Sequence, residues 1–170
     1  MDSRQIKIKG VEIMKIGIIV YSYTGHTLTV AKRLKEAIID KGHEVSIELV
    51  EPMINEPGPS TKVLLKTSPD LSIYDFVIFG SPVQAFTLAG VMKKYLSSLH
   101  NFEDKSGYCF VTRYFKRKWL GGSKAINWIE TKCQEKGIKI LDSSMISWSS
   151  KNLDDDISSL VYRLSNIKYI

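Results

Sequence analysis

Apolar residues along the chain fall into short blocks whose period changes repeatedly between strand and helix. Ile16, Ile18, Ile19, Val20 and Tyr21 form a run that is rich in β-branched residues and too short for a free-standing helix, which predicts a buried strand. A polar turn over 22–27 follows. Leu28, Ala31, Leu34, Ala37 and Ile38 then share one helical face while Lys32, Arg33, Lys35 and Glu36 share the other, and Gly42 marks the stop. Between His43 and Glu51, Val45, Ile47 and Leu49 alternate with Ser46 and Glu48, the pattern of a strand with one solvated side at a sheet edge.

Residues 52–72 have little periodicity and are punctuated by Pro52, Pro57, Pro59 and Pro69. Only Thr61 to Lys66 offers a short helix, so this crossover is expected to be mostly irregular, either covering one side of a site or running over the surface. Tyr74 to Gly80 predicts a second fully buried strand, leading into Ser81-Pro82-Val83-Gln84-Ala85-Phe86 as a rigid turn. The next helix carries Leu88, Met92, Tyr95, Leu96 and Leu99 on one stripe. Tyr108 to Thr112 is a third buried strand, opening into a polar and aromatic loop over 113–122. A helix with Ala125, Ile126, Ile129 and Cys133 inward ends at Gly137, and Ile138 to Trp148 alternates as another edge strand. Asp154, Asp155 and Asp156 then open a helix whose core face is Ile157, Leu160, Val161 and Leu164. At that end they favour the helix dipole, and a metal site is the poorer explanation.

Interior strands first, third and fourth, with edge strands second and fifth, fit an α/β fold. The architecture is a three-layer, doubly wound, five-stranded parallel sheet of order 2-1-3-4-5 with helices on both faces. Such sheets bind ligands beyond the carboxyl ends of their strands, at the switch point between strands one and three. The loops beginning at Ser22, Ser81 and Arg113 all leave the sheet at that edge.

A length of 170 residues and 44% hydrophobic content fit one domain with a proper core. No apolar run approaches the ~20 residues needed to cross a bilayer, so no membrane span is expected. Residues 1–13 have scattered charge and no apolar centre, unlike a secretory signal. They are expected to be an extension, or an over-early start, ahead of a domain over 14–170. Cys109 and Cys133 lie far apart with no C-x-x-C or histidine spacing, which favours free thiols in a reducing cytoplasm over a disulfide or a metal site. The 24 basic residues exceed the 18 acidic ones, giving net +6 and a pI near 9.2. Complementarity then favours an acidic partner or a phosphorylated ligand.

The turn Ser22-Tyr23-Thr24-Gly25-His26-Thr27 combines hydroxyls, a glycine and a helix N-terminus, whose unpaired amides and partial positive charge suit an anion. Ordinary N-capping by Ser or Thr is the alternative. The loop lacks the Gly-Lys-Ser/Thr ending of a triphosphate site and the spaced glycines of a dinucleotide site, so its hydroxyls suit a dianionic monophosphate. With Ser22, Thr24, Gly25 and Thr27 in place, the loop resembles the Ser/Thr-x-Thr-Gly-x-Thr phosphate loop of the flavodoxin family. The resemblance extends over residues 14–170 and implies FMN as cofactor, with Ser22, Tyr23, Thr24, Gly25, His26 and Thr27 around its phosphate. Gly80-Ser81-Pro82 resembles the family's Gly-Ser/Thr-Pro loop, implying that Ser81, Pro82, Val83, Gln84, Ala85 and Phe86 flank the flavin ring. For Phe86 itself, core packing is the alternative. Thr112, Arg113 and Tyr114 complete the implied ring site, and Tyr114, Phe115 and Trp119 are candidates to stack on it. The run Trp119-Leu120-Gly121-Gly122 resembles a bacterial and archaeal branch of the same family.

Arg113, Lys116, Arg117 and Lys118 would stabilise a reduced anionic flavin, hold the phosphate of NADPH, or face solvent. His26 sits at a variable position of the phosphate loop, facing solvent or phosphate. Flavin chemistry needs no side-chain nucleophile, so no catalytic residue is expected. The resemblance therefore implies an electron carrier that shuttles one or two electrons to a redox partner protein. An NAD(P)H-dependent quinone or FMN reductase of the same fold is the alternative, for which the basic third loop is the best support. Binding of nucleic acid is not expected from one basic aromatic loop without a recognition motif. A phospho-receiver would need an acidic cluster where the first strand ends, in place of Tyr21-Ser22, and no loop is read as the histidine-bearing loop of a cobalamin domain.

Overall fold

The structure, a computed structural model, describes residues 7–8, 11–115 and 120–167. Two short strands, β1 (Lys7–Ile8) and β2 (Val11–Glu12), pair antiparallel as a separate ribbon. The main sheet is built from β3 (Lys15–Val20), β4 (Glu44–Leu49), β5 (Phe76–Gln84), β7 (Lys105–Arg113) and β8 (Ile138–Ser147). Its order is β4-β3-β5-β7-β8, every neighbouring pair is parallel, and β6 (Thr87–Leu88) folds back antiparallel on β5. Taken in sequence, the five parallel strands have the expected order 2-1-3-4-5.

Side-chain alternation along the central strands divides the core in two. Ile16, Ile18 and Val20 of β3 face α1 (His26–Ile39) and α4 (Leu153–Ser165), meeting Val30, Leu34, Ile38, Leu160 and Leu164. Ile19 and Tyr21, the residue just past β3, face the layer of α2 (Gly90–Ser98) and α3 (Gly122–Glu135), with Phe79, Met92, Tyr95 and Ile129. β3, β5 and β7 are buried over most of their length, whereas β4 and β8 are mainly half-buried. Cys109 and Cys133 are free, buried thiols in the second layer, and loss of water raises both, Cys133 to about 12.

Several local expectations change. Thr61 to Lys66 forms no helix; the crossover instead closes on itself where Met53 N–H donates to the Leu64 carbonyl and Pro52 bridges Leu65. Leu88 belongs to β6, and α2 begins only at Gly90. Within α1, Val30 and Thr27 are buried while Leu28 and Ala37 are half-buried. At the edge, Val45 and Ile47 pack partly against the α1 layer and Leu49 is exposed. The aspartates Asp154, Asp155 and Asp156 do occupy the first turn of α4, and Asp154 accepts from Arg33 of α1 at 2.7 Å. This ion pair lies at the surface and adds at most a fraction of a kcal/mol.

The largest correction concerns β5. The strand does not end at Gly80 in a Ser81-Pro82 turn but continues to Gln84, and the reversal falls at Ala85 and Phe86, both with positive φ (47° and 60°). Proline is tolerated within the strand because β3 pairs only as far as Gly80, and the contact Pro82 makes with the returning hairpin uses its carbonyl, which accepts from Ala89 N–H at 3.3 Å, and not the N–H it lacks. The hairpin turn carries Phe86 out to solvent with 61% of its surface exposed, so it is not a core residue.

Candidate functional site

β3 and β5 run parallel, and between them the order in which strands are added to the sheet reverses, so this is the switch point; their pairing ends at Val20 and Gly80, where a doubly wound sheet offers a crevice. The turn after β3 stops the sheet and starts α1. Gly25 is the N-cap of α1 at φ 92°, and no side chain caps that end. Ser22 Oγ accepts from Leu28 N–H at a long 3.3 Å, while the amides of His26 and Thr27 have no hydrogen-bond partner among the described residues. Ordinary N-capping by Thr24 is therefore absent. A Cβ placed on Gly25 would meet nothing within 4 Å, so the backbone there is open to approach.

The turn after β3, the end of β5 and the end of β7 converge on one cleft of about 260 Å³, lined by Tyr23, Thr24, His26, Pro57, Pro82, Val83, Gln84, Thr112, Arg113 and Tyr114. No carboxylate is among these residues, whereas a guanidinium, an imidazole and a helix N-terminus are. Burial lowers the Arg113 guanidinium below its ordinary value. The cleft is thus biased toward negative charge.

Bonds across the chain fix this geometry. Thr27, on α1, and Thr112, near the end of β7, share a buried hydroxyl hydrogen bond of 2.7 Å. Gln84 Oε1 accepts from Gly58 N–H at 2.9 Å, and Tyr21 O–H donates to Asn55 Oδ1 at 3.0 Å, holding the irregular crossover against the site. Burial raises the Tyr21 phenol, which therefore stays protonated as a donor. Beyond β7, Trp148 N–H donates to the Arg113 carbonyl at 2.7 Å and Ser149 N–H to the Tyr114 carbonyl at 3.0 Å. The start of the third loop is pinned to the end of β8.

The expected residues are not all equivalent. Tyr23, Thr24, His26, Pro82, Val83, Gln84, Thr112, Arg113 and Tyr114 line the common cleft. Ser22 instead lines a neighbouring cavity of about 230 Å³ with Tyr21, Met53 and Asn55. Thr27 is enclosed with Thr112, and Ser81 is fully buried with its hydroxyl donating to the Pro82 carbonyl at 3.2 Å. Ala85 and Phe86 form the hairpin tip outside the lining. His26 is neither free in solvent nor aimed freely at an anion: its ring stacks on Trp148, with centroids 3.9 Å apart and planes at 11°. Tyr114 and Phe115 are exposed and meet edge to face at 5.2 Å. Lys116, Arg117, Lys118 and Trp119 lie outside the described residues.

Two participants had no clear sequence signal. Pro57 comes from the unperiodic crossover, and Trp148 lies one residue past an edge strand, where nothing in the pattern links it to the first loop. Wider grooves of about 760 and 750 Å³ run along β8 and α4; the first shares only Arg113 with the cleft, and the second shares none of its lining. Among the described residues there is no cluster of His, Cys, Asp or Glu able to hold a metal ion. Among them also, no helix is long and apolar enough to cross a membrane.

No protein-family model matches the sequence, and no curated protein matches it. Solved structures do match its fold. Oxidised flavodoxin 1 from Bacillus cereus superposes with TM-score 0.62 at 17% identity, covering 88% of this chain and 93% of that one. A flavoprotein in complex with FMN from Lactobacillus acidophilus gives TM-score 0.58 at 19% identity, covering 90% and 99%. A WrbA-like flavodoxin from Agrobacterium tumefaciens gives TM-score 0.63 at 14% identity, covering 90% and 96%. The chain has the flavodoxin-like fold.

Proposed function

We propose that this chain is an FMN-binding electron carrier of the flavodoxin type, with residues 14–170 as the cofactor domain and residues 1–13 as an extension. The observation that carries this is the convergence of the first loop with the ends of β5 and β7 on one cleft that has a helix N-terminus, hydroxyls and Arg113 but no carboxylate. The residues fit the group. The open amides of His26 and Thr27, with Gly25 allowing close approach and Thr24 supplying a hydroxyl, form the phosphate end. Pro82, Val83 and Gln84 on one side and Thr112, Arg113 and Tyr114 on the other frame a flat heterocycle.

FMN held there supplies reversible uptake and release of electrons. The chain's own contribution is positional and electrostatic. The Thr27 to Thr112 bond keeps the phosphate end and the ring end in register. Pro57, Pro82 and Val83 give the cleft apolar walls that exclude water. Arg113 places positive charge at the ring end, which favours negative charge there and should raise the reduction potential relative to an acidic site. We assign the redox partner to the acidic class on the net charge of +6, and the setting to the cytoplasm on the two free thiols.

A second function is favoured by a specific residue. Arg113 in the cleft is also what an NAD(P)H-dependent quinone or FMN reductase would use for an anionic substrate. Mixing the FMN-loaded protein with NADPH and a soluble quinone separates the two. A carrier leaves NADPH unconsumed until a partner reductase is added, whereas steady NADPH oxidation by the protein alone makes it the reductase.

A further inference from the structure

We infer that the surface formed by the first turn of α2 and the adjoining face of α3 from Lys124 to Lys132 is the docking face for an acidic electron-transfer protein. The assignment of the partner as a redox protein rests on the function proposed above. The face itself rests on four residues. Trp128, half-buried on α3, has the Lys93 ammonium of α2 at 5.9 Å and the Lys132 ammonium at 5.7 Å from its ring centroid. Lys124 adds a further cation one helical turn before Trp128. Among the described residues, Lys132 reaches Glu135, but neither Lys93 nor Lys124 has a carboxylate within ion-pair distance.

Local electrostatics oppose this arrangement. Lys124 stands in the first turn of α3, where the helix dipole disfavours a cation and where no acidic residue compensates. Burial lowers the Lys93 ammonium below its ordinary value, and the Lys124 charge lowers it further. Lys93 gains a cation–π contact with the indole, but neither it nor Lys124 has a carboxylate to balance its charge among the described residues; together they complement a carboxylate-rich surface, for which Trp128 supplies an apolar anchor. Position agrees as well. Gly121, the N-cap of α3, packs directly on the backbone of Phe86, since a Cβ there would lie 2.3 Å from the Phe86 carbonyl carbon. Phe86 is two residues beyond Gln84 of the cleft lining, so a protein seated on this face lies beside the cleft.

The test uses ¹⁵N-labelled full chain, with and without FMN, titrated with an acidic plant-type ferredoxin as the probe. Amide shifts should map to α2 and the first half of α3, and the affinity should fall about tenfold or more between low and physiological salt. Lys93→Glu combined with Lys124→Glu should abolish the association, the milder Lys93→Gln with Lys124→Gln should weaken it, and Lys32→Glu on α1 should leave it unchanged. The same map in the FMN-free chain supports the docking face even where FMN uptake fails, so the two proposals fall separately. No association at low salt, shifts centred on another face, or folded lysine variants that bind as the parent does would each overturn it. Tighter association with duplex DNA than with the ferredoxin would overturn it too.

Discussion

The hydroxyls of Thr27 and Thr112 stand 2.7 Å apart in a buried pair that ties together residues 85 positions apart in sequence. One belongs to the first turn of α1 and the other to the end of β7, so the bond couples the two ends of the cleft. Replacing one partner leaves the other as a buried hydroxyl without a hydrogen bond. Thr112→Val should therefore cost about 1–3 kcal/mol, and the Thr27→Val, Thr112→Val double variant should cost less than the sum of the singles. Urea unfolding of the four proteins checks this; strictly additive losses would mean that the hydroxyls contribute independently.

Gly25 and Gly121 both have positive φ, 92° and 97°, but differ in what surrounds them. Gly25→Ala meets no atom, so its cost is backbone strain alone, roughly 1–2 kcal/mol. Gly121→Ala adds a collision with the Phe86 backbone, and should cost roughly 2–5 kcal/mol. Thermal or urea denaturation should rank the two in that order. Equal losses would contradict the packing of α3 on the β5–β6 hairpin.

His43 is buried, and its Nδ1 accepts from Met14 N–H at 3.3 Å. Desolvation, aided by the Lys41 charge, lowers its pKa from 6.5. The unfolded chain then binds the proton more readily than the folded one, so stability is complete above 6.5 and falls as the pH drops toward the folded value. His43→Gln should flatten that part of the stability profile, as measured by urea midpoints from neutral pH downward. An unchanged profile would mean that another group produces the acid sensitivity.

Cys109 and Cys133 are both held as thiols by burial. Neither should be alkylated by iodoacetamide in the native protein at about pH 8, where a free exposed thiol reacts readily. Both should react in urea, and mass spectrometry counts the adducts. Rapid native labelling would contradict the enclosed second core layer.

Legibility followed how local the determinants were. The buried runs at Ile16 to Tyr21, Tyr74 to Gly80 and Tyr108 to Thr112, against the alternating runs at His43 to Glu51 and Ile138 to Trp148, were sufficient for strand order, because strand position in the sheet determines how many faces are covered. The first loop was legible because glycine and hydroxyls before a helix are a short-range pattern. The β5–β6 hairpin was not, since Ser81-Pro82 carries the usual turn residues while the real turn uses Ala85 and Phe86, which seldom adopt positive φ. Pro57 in the cleft and Trp148 on His26 depend on contacts between distant segments that no local period encodes.

The most direct test compares FMN with riboflavin, which keeps the ring and lacks the phosphate, by quenching of flavin fluorescence on addition of the apo-protein. Two or more charge-assisted bonds at the α1 N-terminus, each worth about 1.5–3 kcal/mol, should make FMN bind at least ~100-fold more tightly than riboflavin. Thr24→Ala should narrow that gap while leaving riboflavin binding unchanged. Equal affinity for the two flavins, or no quenching by either at high micromolar protein, would contradict the assignment of this cleft to FMN.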